Sequence, residues 1–211
     1  MFSHGYDSSQ RVDDTLQSGA PMIQRAWEFN ALLEVYKALN PRRVLEIGTC
    51  EGGTLQFFLS HTEPGAQFIT VEVNHTRPAW GDWADANSQH LTAICGDSHY
   101  SEIVAYIYKE MPDVDFLFID ADHHYGAVRQ DFLNYGPLVR PGGIIALHDI
   151  LDTPGDLTIE VSKLWSEIRE AGYVTQELCS SYKQATCGIG LIYVQKEDDI
   201  FGFIKSHLGS P

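Results

Sequence analysis

Short apolar runs alternate with amphipathic stretches along this chain, which predicts a sheet laid down strand by strand with helices between. Apolar residues recur at helical spacing from Pro21 to about Leu39 (Ile23, Ala26, Trp27, Leu32, Leu33, Tyr36), and Asn40-Pro41 ends that helix. Runs at residues 43–47, 67–73, 91–95, 114–119 and 144–147 read as strands, the fourth being the most apolar. Helical patterns fill the gaps. One begins near Thr54. Another covers 101–109 with Ile103, Val104, Ile107 and Tyr108 inward, and a third runs through Tyr135. A fourth, 158–170, presents Val161, Leu164, Trp165 and Ile168. Residues 80–87 read as a short helix or loop, and 136–143 as a turn. Two last strand-like runs, 173–179 and 189–194, are joined by a polar segment with no helical pattern and are expected to pair antiparallel, before a final helix at 200–208. Strands alternating with helices require an α/β fold: a doubly wound, mostly parallel sheet with helices on both faces. Polar residues 1–20 are expected to be a flexible arm, and 21–211 a single domain.

The first strand runs into Gly48-Thr49-Cys50-Glu51-Gly52-Gly53-Thr54 and then a helix. Glycines there let the backbone turn sharply, and the amides at the helix start face the same space, as in nucleotide sites of doubly wound sheets. Glu46, two residues before the first glycine, is expected to set a carboxylate beside the ligand, which repels a pyrophosphate and suits a cationic or hydroxyl-bearing group. Five strands end in polar, mostly acidic residues: Glu46, Glu72, Asp97, Asp120 and His148-Asp149. Parallel strands put all their carboxyl ends on one edge, so these residues are expected to line a single cleft. Glu72, followed by Val73, is placed to take ribose hydroxyls, and Asp97-Ser98 to meet an adenine ring.

At this point the sequence resembles class I S-adenosylmethionine-dependent methyltransferases over about residues 21–195. The resemblance rests on Glu46-Ile47-Gly48-Thr49-Cys50-Glu51-Gly52, on Glu72, and on Gly96-Asp97-Ser98. The chain is closer still to the subgroup of cephalosporin-hydroxylase-type proteins and macrolide or sugar O-methyltransferases. That likeness lies in Phe118-Ile119-Asp120-Ala121-Asp122-His123-His124-Tyr125, in Leu138-Val139-Arg140-Pro141-Gly142-Gly143 leading to His148-Asp149, and in Trp27-Glu28. The resemblance implies a seven-stranded sheet with its last strand inserted antiparallel. It implies a cofactor, S-adenosylmethionine, held by Glu46, Gly48, Thr49, Gly52, Glu72, Val73, Gly96, Asp97, Ser98 and Asp120. In metal-dependent relatives the positions of Asp120, His148 and Asp149 hold a divalent ion. A histidine at 148 departs from the carboxylate found there, which weakens the case for magnesium and suits manganese, iron or zinc better. The expected reaction is methyl transfer to a hydroxyl of a small-molecule acceptor. His123 is the first candidate base and His148 the second, with a cation at Asp120 and Asp149 lowering the hydroxyl's pKa.

Composition narrows this reading without changing it. Fourteen Lys and Arg against 29 Asp and Glu give a net charge of −15, which disfavours nucleic acid and anionic membranes as partners. Four cysteines at 50, 95, 179 and 187 form no zinc-like spacing, and Cys95 is expected to be a small core residue. No apolar run approaches the roughly 20 residues of a membrane helix, and a cytoplasmic location is expected. An exposed apolar face on the first helix would favour a homodimer. Trp80 and Trp83 suit either a flat acceptor or packing. Two other readings compete: a nicotinamide-dependent oxidoreductase, whose G-x-G-x-x-G spacing is missing here, and a protein that binds the cofactor without catalysis.

Overall fold

The structure, a computed structural model, describes residues 24–151, 155–179 and 187–195. The expected arm at 1–20, the first turn of the predicted first helix and the helix at 200–208 lie outside the described residues. The elements follow the order α1 (Ala26–Leu39), β1 (Arg43–Ile47), α2 (Gly53–Ser60), β2 (Gln67–Glu72), α3 (Pro78–Ala86), β3 (His90–Cys95) and α4 (Ser101–Glu110). After these come β4 (Val114–Ile119), α5 (Tyr125–Tyr135), β5 (Val139–His148), α6 (Val161–Glu170), β6 (Thr175–Leu178) and β7 (Ile189–Tyr193).

The seven strands form one sheet in the order β3-β2-β1-β4-β5-β7-β6. β1 to β5 pair in parallel, and β7 is inserted antiparallel between β5 and β6. Strand order reverses between β1 and β4, which is where a doubly wound sheet opens a crevice at its carboxyl edge. This is the Rossmann-like methyltransferase fold.

The alternation of side chains along each strand decides what faces what. Leu45, Ile47, Leu117 and Ile119 pack on one face with Ile107 of α4, Phe132 of α5 and Leu164 of α6. Val44, Phe68, Phe116 and Phe118 pack on the other with Phe29 and Tyr36 of α1, Phe58 of α2 and Trp80 of α3. Phe58 is the hub of this second layer. Its ring lies 4.8 Å from Tyr36, 5.3 Å from Phe116 and 5.7 Å from Phe118, in tilted or edge-on contacts.

Several expectations shift. Residues 139–143, expected in a turn, begin β5 instead; only Gly136–Leu138 form a 3-10 turn. Cys95 is exposed, not a core residue, because β3 is the edge strand. Tyr108 points outward, leaving Ile107 as the one fully buried residue of α4. Trp80 is wholly buried and donates its indole N–H to the Glu51 carbonyl (3.2 Å), so packing accounts for it. Among the described residues, no helix is long and apolar enough to cross a membrane.

Candidate active site

A cavity of about 480 Å³ opens at the carboxyl edge where β1 and β4 part, a size usual for small-ligand sites. Its floor is the turn after β1. Gly48 has φ +85°, and a Cβ there would sit 2.1 Å from the Asp120 carbonyl oxygen, so the ends of β1 and β4 approach this closely only with glycine. Thr49 and Cys50 follow it into the cavity wall, and their amides both donate to Glu72 Oε2, at 3.1 and 2.7 Å. The other Glu72 oxygen accepts from the Asn74 backbone and side chain (3.0 and 3.2 Å). Burial pushes the Glu72 carboxyl up, but the Asn74, Cys50 and Thr49 amides outweigh it and hold the group below its ordinary pKa. The result is an anion fixed at the tip of β2, with Val73 beside it in the cavity wall.

Gly96, Asp97 and Ser98, after β3, line the same end of the cavity. Asp97 accepts from the His99 amide (2.9 Å) and is not the residue that caps α4, which is Tyr100. Ser98 donates to Asp131 Oδ1 (2.6 Å), and His99 Nε2 lies 3.2 Å from the same oxygen. Asp131 comes from α5, is 1 % exposed, and is pushed up to about 6 by burial, against the Ser98 hydroxyl. It holds the Ser98–His99 loop, itself lines the cavity, and was not foreseen.

Glu46 departs from its expected place. It does not line the cavity. It shares strand parity with Val44, so its carboxylate turns to the α1–α3 side, where it accepts from Thr54 and, at 3.1 Å, from Thr70. Thr70 is in turn bonded to Thr49. Burial pushes Glu46 up to about 7, only partly countered by the threonine hydroxyls. Glu46 therefore braces Thr49 and Thr54, which do line the cavity, rather than meeting a ligand. Gly52 is not in the wall either; a Cβ there would lie 2.3 Å from the Trp80 indole nitrogen, so this glycine admits the tryptophan.

The far end of the cavity holds Asp120, His123, His148 and Asp149, whose donor atoms all lie within 4.8 Å of one another. His123 Nε2 is 3.3 Å from Asp120 Oδ1 and 3.1 Å from Asp149 Oδ2. His148 Nδ1 is 3.2 and 3.3 Å from the same two oxygens. Asp149 adopts φ +59°, a left-handed conformation that an aspartate tolerates and that turns its carboxylate back to the cleft. Hydrogen bonds donated to the two carboxylates, Asp120 before Asp149, push His123 up to about 10. Burial would lower the His148 pKa, but the Asp120 charge and the Asp120 and Asp149 hydrogen bonds raise it well above the usual range. Both aspartates are held well below theirs: burial opposes this, and the histidines overcome it.

Two residues at and just before the start of α1 complete this end. Gln24 donates to Asp120 Oδ2, and Glu28 Oε1 lies 3.3 Å from His148 Nε2. Glu28 lies in the first turn of α1, whereas Gln24 precedes Arg25, the extended residue that caps it. The same Glu28 oxygen accepts the Arg25 amide (3.0 Å) at the start of α1, and its other oxygen accepts the Gly188 amide (2.8 Å). Glu28 gave a signal in the sequence only as part of Trp27-Glu28. Gln24 gave none.

A doubly wound sheet with one antiparallel insertion, and a cleft whose walls are the β1 turn, the β2 acid and the β3 acid, defines a nucleotide-type α/β enzyme fold of the methyltransferase class. The methyltransferase-domain family profile matches residues 45–150, and the chain belongs to that family. An uncharacterized protein of Acanthamoeba polyphaga mimivirus is 30 % identical over 125 residues, and the match spans about half of each chain (51 % and 51 %). Solved structures share the fold at low identity. An O-methyltransferase of tomaymycin synthesis from Streptomyces achromogenes, in complex with S-adenosylmethionine, matches with TM-score 0.62 at 17 % identity, over 87 % of this chain and 85 % of that one. The O-methyltransferase from Bacillus cereus with S-adenosylhomocysteine gives TM-score 0.58 at 18 % identity, over 87 % and 86 %. A mycinamycin-pathway methyltransferase solved with magnesium, S-adenosylhomocysteine and mycinamycin VI gives 0.58 at 19 %, over 88 % of this chain and 52 % of that one.

Magnesium fits the present donor set poorly. It asks for octahedral oxygen coordination, whereas half of the four convergent groups are imidazoles and the more buried one, His148, aims a nitrogen at the centre.

Proposed function

We propose that this protein transfers a methyl group from S-adenosylmethionine to a hydroxyl of a small molecule. One observation carries the reading: the anion-fixed glycine turn and the His–Asp cluster are opposite ends of a single cavity. The Gly48–Cys50 turn and Val73 would lie against the nucleoside, Glu72 would take its ribose hydroxyls, and Asp97 and Ser98 would meet the base. The sulfonium methyl would then point at the His123 end. The net negative lining suits a cationic cofactor, which becomes neutral at sulfur as the methyl leaves.

The reaction breaks the carbon–sulfur bond as the acceptor oxygen forms its bond to the methyl carbon, in line, and the hydroxyl proton must leave. Of the two candidate bases, His123 is the accessible one, with its side chain 35 % exposed against 2 % for His148. His148 is gripped on both nitrogens, by Glu28 on one side and the two aspartates on the other, so it is assigned a fixed, supporting place. His123 accepts the proton from the acceptor and is oriented by Asp120 and Asp149. Because those carboxylates favour its protonated form, it serves as base only in the neutral fraction.

Transfer of a radiolabelled methyl group to a panel of hydroxylated small molecules tests the proposal. Label in at least one hydroxyl acceptor, lost in His123→Ala, is expected. Label appearing only on amines or thiols would overturn the hydroxyl assignment.

A further inference from the structure

Glu28 and His148 lie at the end of the cleft, and both are almost wholly buried, at 1 % and 3 % exposure. A buried carboxylate against a buried imidazole fixes which ring nitrogen carries the proton. Here Nε2 faces Glu28 Oε1 (3.3 Å), so Nε2 is the donor. Nδ1 faces Asp120 Oδ1 and Asp149 Oδ2 at 3.2 and 3.3 Å, and an ion held between those oxygens would displace its proton and take its lone pair. Glu28 cannot swing off, because its second oxygen holds the Gly188 amide (2.8 Å) at the entry to β7. A carboxylate that orients a histidine from behind in this way is the usual outer partner of a metal-ligating imidazole and raises its basicity.

We propose that Glu28 and His148 work as a matched pair that makes Asp120, His148 and Asp149 a centre for a divalent transition ion of the manganese-to-zinc series rather than for magnesium. The selection is chemical. Imidazole nitrogen suits manganese, iron, cobalt and zinc, whereas magnesium asks for oxygen. The pairing is also mutually exclusive with the alternative. A carboxylate at position 148 would face Glu28 within hydrogen-bonding distance, two like charges out of water, so a magnesium-type donor set is disfavoured while Glu28 is present. His123, the most accessible member of the cluster, stays on the acceptor side and is not needed as a ligand. The inference does not depend on the methyl-transfer reading, since the ion site is complete without a cofactor.

The test uses the full chain stripped with chelator, titrated in separate runs with cobalt, zinc, manganese and magnesium chlorides. Electron paramagnetic resonance of the manganese or cobalt form reports ligand nitrogen. One ion per chain with histidine nitrogen coupling is expected, with cobalt and zinc well ahead of magnesium. In E28Q the fold should be retained by circular dichroism, with transition-ion affinity weakened 10- to 100-fold. The double variant E28Q/H148E removes both the imidazole and the like-charge conflict. There the nitrogen coupling should vanish, and the cobalt-to-magnesium preference should fall at least tenfold. The inference is overturned if the wild-type chain binds none of these ions at millimolar concentration, if its bound manganese shows no nitrogen coupling, or if the double variant keeps the wild-type preference. S-adenosylhomocysteine titrated into the same preparations is read separately. A wild-type chain that binds S-adenosylhomocysteine but none of the ions would overturn this inference alone, and one that binds an ion but no S-adenosylhomocysteine would count only against the cofactor reading.

Discussion

A carboxylate shut between a strand and a helix, as Glu46 is, keeps its proton to a higher pH in the folded chain than in the open one. Its pKa is pushed up to about 7 from an ordinary 4.5 by burial. The stability it contributes is therefore fully present below about pH 4.5 and is lost as pH rises through about 7. Fully ionised, the group costs on the order of 3 kcal/mol. Glu46→Gln, which mimics the protonated form and can still bond Thr54 and Thr70, should raise the urea midpoint at pH 8 and leave it nearly unchanged at pH 4.5. No gain at pH 8 would show that the carboxylate is not confined as described. At Gly48 the penalty is steric: Gly48→Ala places a methyl against the Asp120 carbonyl and forces φ +85° on an L-residue. It should destabilise the fold by more than ~2 kcal/mol, measured by thermal melting. His123 carries the sharpest pH signature. Pushed up to about 10 by Asp120 and Asp149, it is neutral in only a small fraction at pH 7. Methyl transfer by chelator-treated protein should therefore climb about tenfold per pH unit from 7 toward 9 and level near 10, and His123→Ala should lose about 10²- to 10⁴-fold. A profile flat from pH 7 to 9 would remove His123 as base.

Among the elements, most strands were legible, including the edge strand β3 and the inserted β7. β1, β2 and β4 sit inside the sheet, and their continuous apolar runs could be read within a residue of their observed ends. β5 was read short because its first half, Arg140–Gly143, carries little apolar surface yet still begins the strand. Edge position explains Cys95. Which strands end in acids was legible too, because the carboxyl edge follows from parallel order. What a single strand's parity does to its last acid was not: Glu46 and Glu72 look alike in sequence, yet one braces threonines while the other faces the cavity. Least legible were Gln24, just before α1, and the groups supplied from helices, Glu28 and Asp131, whose partners lie 96, 120 and 33 residues away. The α1–α2 layer makes its own prediction. Phe58 touches Phe29, Tyr36, Phe116 and Phe118, so Phe58→Ala should cost about 3–5 kcal/mol in denaturant unfolding. It should also loosen the glycine turn at the start of its helix.

Across the whole molecule, the charge of −15 and the acidic carboxyl edge point the same way. Such charge disfavours polyanions and suits a cationic sulfonium nucleoside. The sheet brings residues from Gly48 to Asp149 to one rim, and the central claim is that this rim closes around the methyl donor. Calorimetric titration with S-adenosylhomocysteine measures it most directly, on the wild-type chain and on Glu72→Ala, which unpins the Thr49 and Cys50 amides. We predict one site per chain in the wild type, weakened at least tenfold in Glu72→Ala with the fold intact. No binding to the wild type at millimolar ligand, or equal affinity in the two proteins, would contradict the account.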